Sequence, residues 1–281
     1  MPILAVLSVC IAVYGLFIPG AWDGVIYYIK PDFSRFSSTT VLAALGQLFY
    51  SMSLAMGIMI TYGSYMKKQD NLEASVRQIE LFDTGIAFIA GLMIIPAVFA
   101  FSGGDESALG TGPSLMFITL PKVFGSMRIG SVIGILFFVL VLFAALTSAI
   151  SLMETIVSIL QDKLKWNRRM TCLIAMIFAI VVGIPSSLGF GIWDHITVIG
   201  MSILDFFDFL SNSIIMPVVA LLTCVFVGFI IKPSAIAEEV KCSSKFKSEK
   251  LYAIMIKWIA PICIIAILVS SILNALGYIS I

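Results

Sequence analysis

The chain has 281 residues, of which 60% are hydrophobic and 12% charged, with a mean hydropathy of +1.09 and a formal net charge of +1. Those proportions lie far outside the soluble globular range and exclude a water-soluble domain of ordinary composition. The net charge says nothing about nucleic acid, but no basic patch with interleaved aromatics appears, so no nucleic-acid partner is expected.

A bilayer span needs about 20 mostly apolar residues, and the chain offers about seven such blocks: 1–18, 41–66, 79–101, 130–160, 170–189, 203–231 and 251–277. An all-α polytopic membrane protein is therefore expected. The first block has no basic leader and no Ala-x-Ala cleavage signal, so it reads as a retained helix rather than a signal peptide. The second block carries Gln47-Leu48-Phe49-Tyr50-Ser51-Met52-Ser53-Leu54-Ala55-Met56-Gly57 at its centre. Two serines and a glycine stand where a span should be most hydrophobic. Backbone polar groups in lipid need partners, so an interrupted helix survives only where it lines a cavity or a solute site. A discontinuous helix is expected near Ser51 to Ala55.

In the third block Asp83 lies one turn inside the span, with Glu80 a turn nearer the cytoplasm; an intramembrane carboxylate needs a cation or strong donors. The connection 102–129 opens with Gly103-Gly104-Asp105-Glu106 and turns again at Gly110-Thr111-Gly112-Pro113. Its apolar stretch Ser114 to Phe124 is too short to span and reads as a re-entrant or capping helix over the outer face. In the block 130–160, Thr147, Ser151 and Glu154 fall at i, i+4 and i+7 and share one helix face. Hydroxyls with main-chain carbonyls suit a small hard cation; alternatively they join helices or bond back to the preceding turn. Asp205 and Asp208 open the block 203–231, either as acids favoured at a helix N-terminus or, for Asp208, as a gate closing on an arginine. Pro96, Pro217 and Pro261 fall inside spans and are expected to kink them.

Basic residues orient the bundle, since Lys and Arg in short loops favour the cytoplasmic side. One set of loops carries twelve: Lys67, Lys68, Arg77, Lys163, Lys165, Arg168, Arg169, Lys232, Lys241, Lys245, Lys247 and Lys250. The other holds Lys30, Arg35, Lys122 and Arg128. Residues 19–40, 102–129 and 190–202 are thus expected outside, with the C-terminus also outside. The five cysteines, Cys10, Cys172, Cys224, Cys242 and Cys263, show no CxxC pair and read as small hydrophobes. His195, the single histidine, has only Asp194 as a nearby acid, so neither a metal site nor a catalytic dyad is expected. Nothing points to an enzyme.

The strings Lys30-Pro31-Asp32-Phe33-Ser34, Ala43-Ala44-Leu45-Gly46-Gln47, Ile60-Thr61-Tyr62-Gly63-Ser64-Tyr65 and Phe143-Ala144-Ala145-Leu146-Thr147-Ser148 together resemble the neurotransmitter:sodium symporter family, in its bacterial amino-acid branch. The resemblance runs essentially end to end. It implies a partial inverted-repeat, leucine-transporter-like fold in which 1–18 is the end of the fifth transmembrane helix. By the same resemblance 41–66 is the broken sixth helix, 79–101 the seventh, 102–129 an outer loop with a short helix, 130–160 the eighth, 170–189 the ninth, 203–231 the tenth and 251–277 the eleventh.

By the same resemblance Tyr50, Ser51, Ser53 and Met56 would line the solute pocket, facing Ser148 and Leu152. Ser51 and Asp83 would reach one sodium, with Phe82 at the latter position if the alignment shifts by one. Ala144 through its carbonyl, with Thr147 and Ser148, would form half of a second sodium site. A carboxylate at Asp83 would make bound chloride unnecessary, and Asp208 would be the outer gate acid. The implied activity is sodium-coupled symport of a neutral or hydrophobic amino acid across the inner (cytoplasmic) membrane, with sodium as coupling ion and no other cofactor. The first helices of that fold are not in the chain. A separate chain bearing helices one to five is one expected partner, and a non-transporting fragment is the rival reading.

Overall fold

A computed structural model of the chain describes residues 2–105, 112–127 and 129–275. The Gly110-Thr111 turn, Glu106, Arg128 and the last two residues of the block 251–277 lie outside the described residues. The described part is helical, and five of its helices are long and apolar enough to cross a membrane: Leu72–Ser102, Gly130–Leu164, Arg168–Leu188, Ile203–Ile231 and Glu249–Ala275. Large apolar side chains such as Phe178 (67% exposed) and Leu222 (63%) face outward along them, as expected where lipid is the solvent.

The chain divides into two units, residues 1–36 with 78–149, and residues 37–77 with 150–281. The first begins with α1 (Pro2–Leu16), which turns through 118° into α2 (Ala21–Ile29). Gly20, at φ +85°, makes that turn at no steric cost. The sequence pattern of 19–40 reads as an outer loop, but the structure holds α2 there; nine residues are too few for a span and α2 has no polar cap to announce it. α2 is held against the long helix that includes Pro96: a side chain on Gly24 would meet the Pro96 Cα at 2.7 Å and the Phe99 Cβ at 2.8 Å, and Ala21 is fully buried. The core of this unit joins Ile11, Met93, Val98, Leu120, Phe124 and Phe137.

In the second unit α3 (Ser38–Ser51) starts from a capping box at Ser37 and Thr40 and stops at Ser51; α4 (Ile58–Ser64) resumes after six intervening residues. The helix is therefore interrupted where the polar residues required it. α5 (Leu72–Ser102) and α8 (Gly130–Leu164) each contain a unit boundary, and between them α6 (Gly112–Ser114), a π-turn segment (Leu115–Thr119) and α7 (Leu120–Ser126) form one helical stretch. After α9 (Arg168–Leu188) come α10 (Ile203–Asp208) and α11 (Met216–Val225), then α12 (Pro233–Lys241), α13 (Glu249–Ile254) and α14 (Ala260–Ala275). α11 packs on α14, and α3 packs on α14 in turn.

Among the described residues four segments have π-helical bonding: Leu115–Thr119, Phe209–Ile215, Phe226–Ile231 and Met255–Ile259. Three of them run on into helices with a proline two residues later, at Pro121, Pro217 and Pro261, whereas Phe226–Ile231 ends at Lys232 (φ +74°), after which Pro233 opens α12. Proline has no N–H for the carbonyl four residues back and its ring crowds that carbonyl; a widened turn relieves the crowding by shifting bonds to i−5. Pro96 and Pro185 sit inside α5 and α9 without such a segment.

Candidate functional site

The interruption between α3 and α4 is built from local backbone choices. Met52 N–H still bonds the Leu48 carbonyl at 3.1 Å, but Ser53 N–H bonds Tyr50 and Leu54 N–H bonds Phe49, which closes the helix. Ser53 (φ +52°), Ala55 (φ +61°) and Gly57 (φ +80°) then take left-handed conformations. Only Gly57 does so freely; a serine and an alanine in that region cost of order 1 kcal/mol each and persist only where surroundings over-determine them. Such outliers cluster at ligand clamps and switch regions.

The two halves of the broken helix have different supports within the second unit. On the α3 side, Phe49 and Ala55 pack against Ala220, Cys224 and Ile264. On the α4 side, a Cβ on Gly57 would lie 3.0 Å from the Thr155 methyl. Tyr62 and Ser151 share a 2.6 Å hydrogen bond, and Tyr65 Oη donates to Glu154 Oε1 at 2.7 Å. Glu154 also accepts from both terminal nitrogens of Arg168, at the start of α9. Ser151 and Glu154 thus join helices here. The sequence assigns no site role to Tyr62 or Tyr65 and reads Arg168 only as a cytoplasmic-side charge, yet a signal exists: Tyr62-x-x-Tyr65 has the same i, i+3 spacing as Ser151-x-x-Glu154.

Tyr50 and Asp208 line one cavity of about 310 Å³ with Gln47, Asn212 and Met216. It adjoins a second, of about 350 Å³, lined by Gln47, Asp205, Asp208, Ser271 and Asn274. Asp208 accepts from Asn212 Nδ2, one turn on. Asp205 closes an N-cap with Ser202, whose Oγ accepts from the Asp205 N–H at 3.2 Å and donates to its carboxylate at 2.7 Å. That is the helix-terminus role. Ser51, Ser53 and Met56 are all part-buried around the break, while Leu152 on α8 is 42% exposed.

In the first unit, Thr147 turns its hydroxyl onto the Ala144 carbonyl at 2.9 Å, bringing two oxygens of the anticipated cation site side by side; Ser148 follows on the same helix. Asp83 is part-buried in α5, and Phe82 beside it is 68% exposed. His195 and Asp194 form an exposed pair 3.7 Å apart. Among the described residues no group of three or more His, Cys, Asp or Glu could hold a metal ion, and all five cysteines are free.

Comparison with known proteins adds independent findings. The family model described as the sodium:neurotransmitter symporter family matches residues 1–279. A protein described as an uncharacterized sodium-dependent transporter of Haemophilus influenzae is 36% identical over 273 residues, which are 96% of this chain and 58% of the relative. A similarly described Bacillus subtilis transporter is 33% identical over 282 residues, covering all of this chain and 61% of its own length. The crystal structure of MhsT in complex with L-phenylalanine superposes with a TM-score of 0.85 at 38% identity, covering 96% of this chain and 61% of MhsT. The chain therefore spans about three-fifths of the length of these relatives.

Proposed function

The chain belongs to the sodium:neurotransmitter symporter family, and from that premise we propose that it forms the fifth-to-eleventh-helix part of a carrier that couples sodium entry to uptake of a neutral or hydrophobic amino acid. The observation that carries this reading is the interruption at residues 52–57, with polar side chains and left-handed backbone inside a bilayer-length segment. A phenylalanine-bound relative at 38% identity supports the solute class.

In this reading Tyr50, Ser51, Ser53 and Met56, with Ser148 and Leu152, line the solute pocket. Ser51 and Asp83 contribute to one sodium shell, and the Ala144 carbonyl with the Thr147 and Ser148 hydroxyls to another, since neutral and anionic oxygens suit a hard monovalent ion. Asp208 acts as the outer gate acid. The protein sits in the cytoplasmic membrane with its lysine-rich loops inside. Helices one to five, on the same polypeptide or on a separate chain, would complete both ion shells.

Coupling follows from linkage. Sodium and solute occupy one cavity, each raises the other's affinity, and the occupied carrier closes outward and opens inward. The membrane potential adds about 2.3 kcal/mol per charge per 100 mV to the drive.

Proteoliposomes test this. A carrier made from the first helices of a full-length relative and this chain should take up amino acid only with an inward sodium gradient, and Thr147→Ala with Ser148→Ala should abolish it. Unaltered uptake in that double variant would refute the assignment. The chain reconstituted alone separates the competing reading, a non-transporting fragment: sodium-driven uptake without added helices would remove that reading.

A further inference from the structure

Lys257 lies eight residues inside the apolar span Glu249–Ala275, within the π segment Met255–Ile259. A cation at that depth needs an anion or must reach back toward the interface. Among the described residues no carboxylate forms an ion pair with it. Its methylene stem crosses Gly228, whose ideal Cβ position is 3.4 Å from the Lys257 Cγ, so the missing side chain makes the channel for that stem. Next to it Trp258 is 62% exposed and stands edge-on to Phe229, ring centroids 6.4 Å apart; an exposed tryptophan beside a lysine at the cytoplasmic end marks the interfacial belt.

Lys250 precedes Lys257 by seven residues, roughly 10 Å along the axis, with the π segment beginning at Met255 between them. Ile254, 52% exposed, lies between them. Lys245 and Lys247 are exposed just before. The acid in this stretch, Glu249, is already engaged by Lys241. Among the described residues Lys245, Lys247 and Lys250 form no ion pair.

We infer that Lys250 and Lys257, the latter with its stem over Gly228 and next to the exposed Trp258, bind the phosphodiester headgroup of an anionic phospholipid of the cytoplasmic leaflet. Paired cations flanking an exposed isoleucine and tryptophan fit a ligand with an anionic head and an apolar tail. The exposed Ile254 and Trp258 beside these lysines offer apolar surface for an acyl chain, which a soluble acidic partner lacks. Juxtamembrane lysines attract anionic lipid with a free energy that corresponds to roughly fivefold enrichment per residue.

The test needs no transport activity, so its outcome is separable from that of the symport reading. The full chain is placed in nanodiscs of zwitterionic phosphatidylcholine containing a small fraction of either brominated phosphatidylglycerol or brominated phosphatidylcholine. Quenching of Trp258, isolated as the difference from Trp258→Phe, should be at least about fivefold more sensitive to the anionic lipid. Lys250→Gln with Lys257→Gln should erase that preference, and Lys250→Arg with Lys257→Arg should keep it. Equal quenching by both lipids, or a preference surviving the glutamine pair, overturns the site. Competition by millimolar inorganic phosphate would also overturn it, by showing a soluble-anion site.

Discussion

The Tyr65 hydroxyl donates to the same carboxylate oxygen of Glu154 that accepts from Arg168, so one acid ties α4 to two further helices. Glu154→Gln keeps the shape but gives up the charge that holds the guanidinium. Amides of Ile58–Ser64 should then exchange with deuterium several-fold faster, because local opening follows the contacts that restrain a segment. Tyr65→Phe should act in the same direction and more weakly, with α3 unchanged in both. Equal exchange in α3 and α4 after Glu154→Gln would show that the acid does not restrain α4 selectively.

Gly57 and Ala55 share a backbone region but should respond oppositely. Gly57→Ala adds a methyl at φ +80°, 3.0 Å from the Thr155 methyl, and should destabilise by about 1–2 kcal/mol. Ala55→Gly removes strain and should be neutral or stabilising, offset by lost packing against Ala220 and its neighbours. Melting temperatures in detergent decide the sign of each.

Gly24→Val should lift α2 from α5, since the clash is with the Pro96 backbone, which cannot step aside. A cost of about 1–3 kcal/mol is expected. Gly85→Ala, on α5 with nothing within 4 Å, should be stabilising by about 0.5–1 kcal/mol through helix propensity. Thermal unfolding of the two variants side by side checks the contrast.

Phe137 is 1% exposed and lies 5.3 Å, ring to ring, from both Phe124 and Phe138. Phe137→Ala should cost about 3–5 kcal/mol, whereas the exposed Phe178→Ala should change little. Denaturant or thermal midpoints for both variants give the comparison.

The interruption at Ser51 to Ala55 was legible because intramembrane serines and a glycine break a pattern that lipid otherwise enforces. The long spans were legible for the same reason. α2 was not, since nine mixed residues carry no period strong enough to distinguish a helix from an outer loop, and its placement depends on Gly24 meeting Pro96, two distant positions. Ser151 and Glu154 were visible as one face, but a face does not say what it meets. Their partners Tyr62 and Tyr65 sit 89 positions away in sequence. The place of Asp205 at a helix N-terminus was legible, but its cap partner Ser202 and the Asn212 partner of Asp208 were not singled out, although each lies about one turn away.

The prolines set angles at a distance. A turn widened ahead of Pro217 holds an additional residue, and each residue in an α-helix accounts for about 100° of rotation. If Pro217→Ala let the segment Phe209–Ile215 tighten, everything toward the N-terminus, Asp208 included, would swing by about that angle around the axis while α11 stayed in place. The bearing of the Asp208 carboxylate would then depend on an imino acid nine positions further along the chain, as a sighting depends on a spacer behind the barrel.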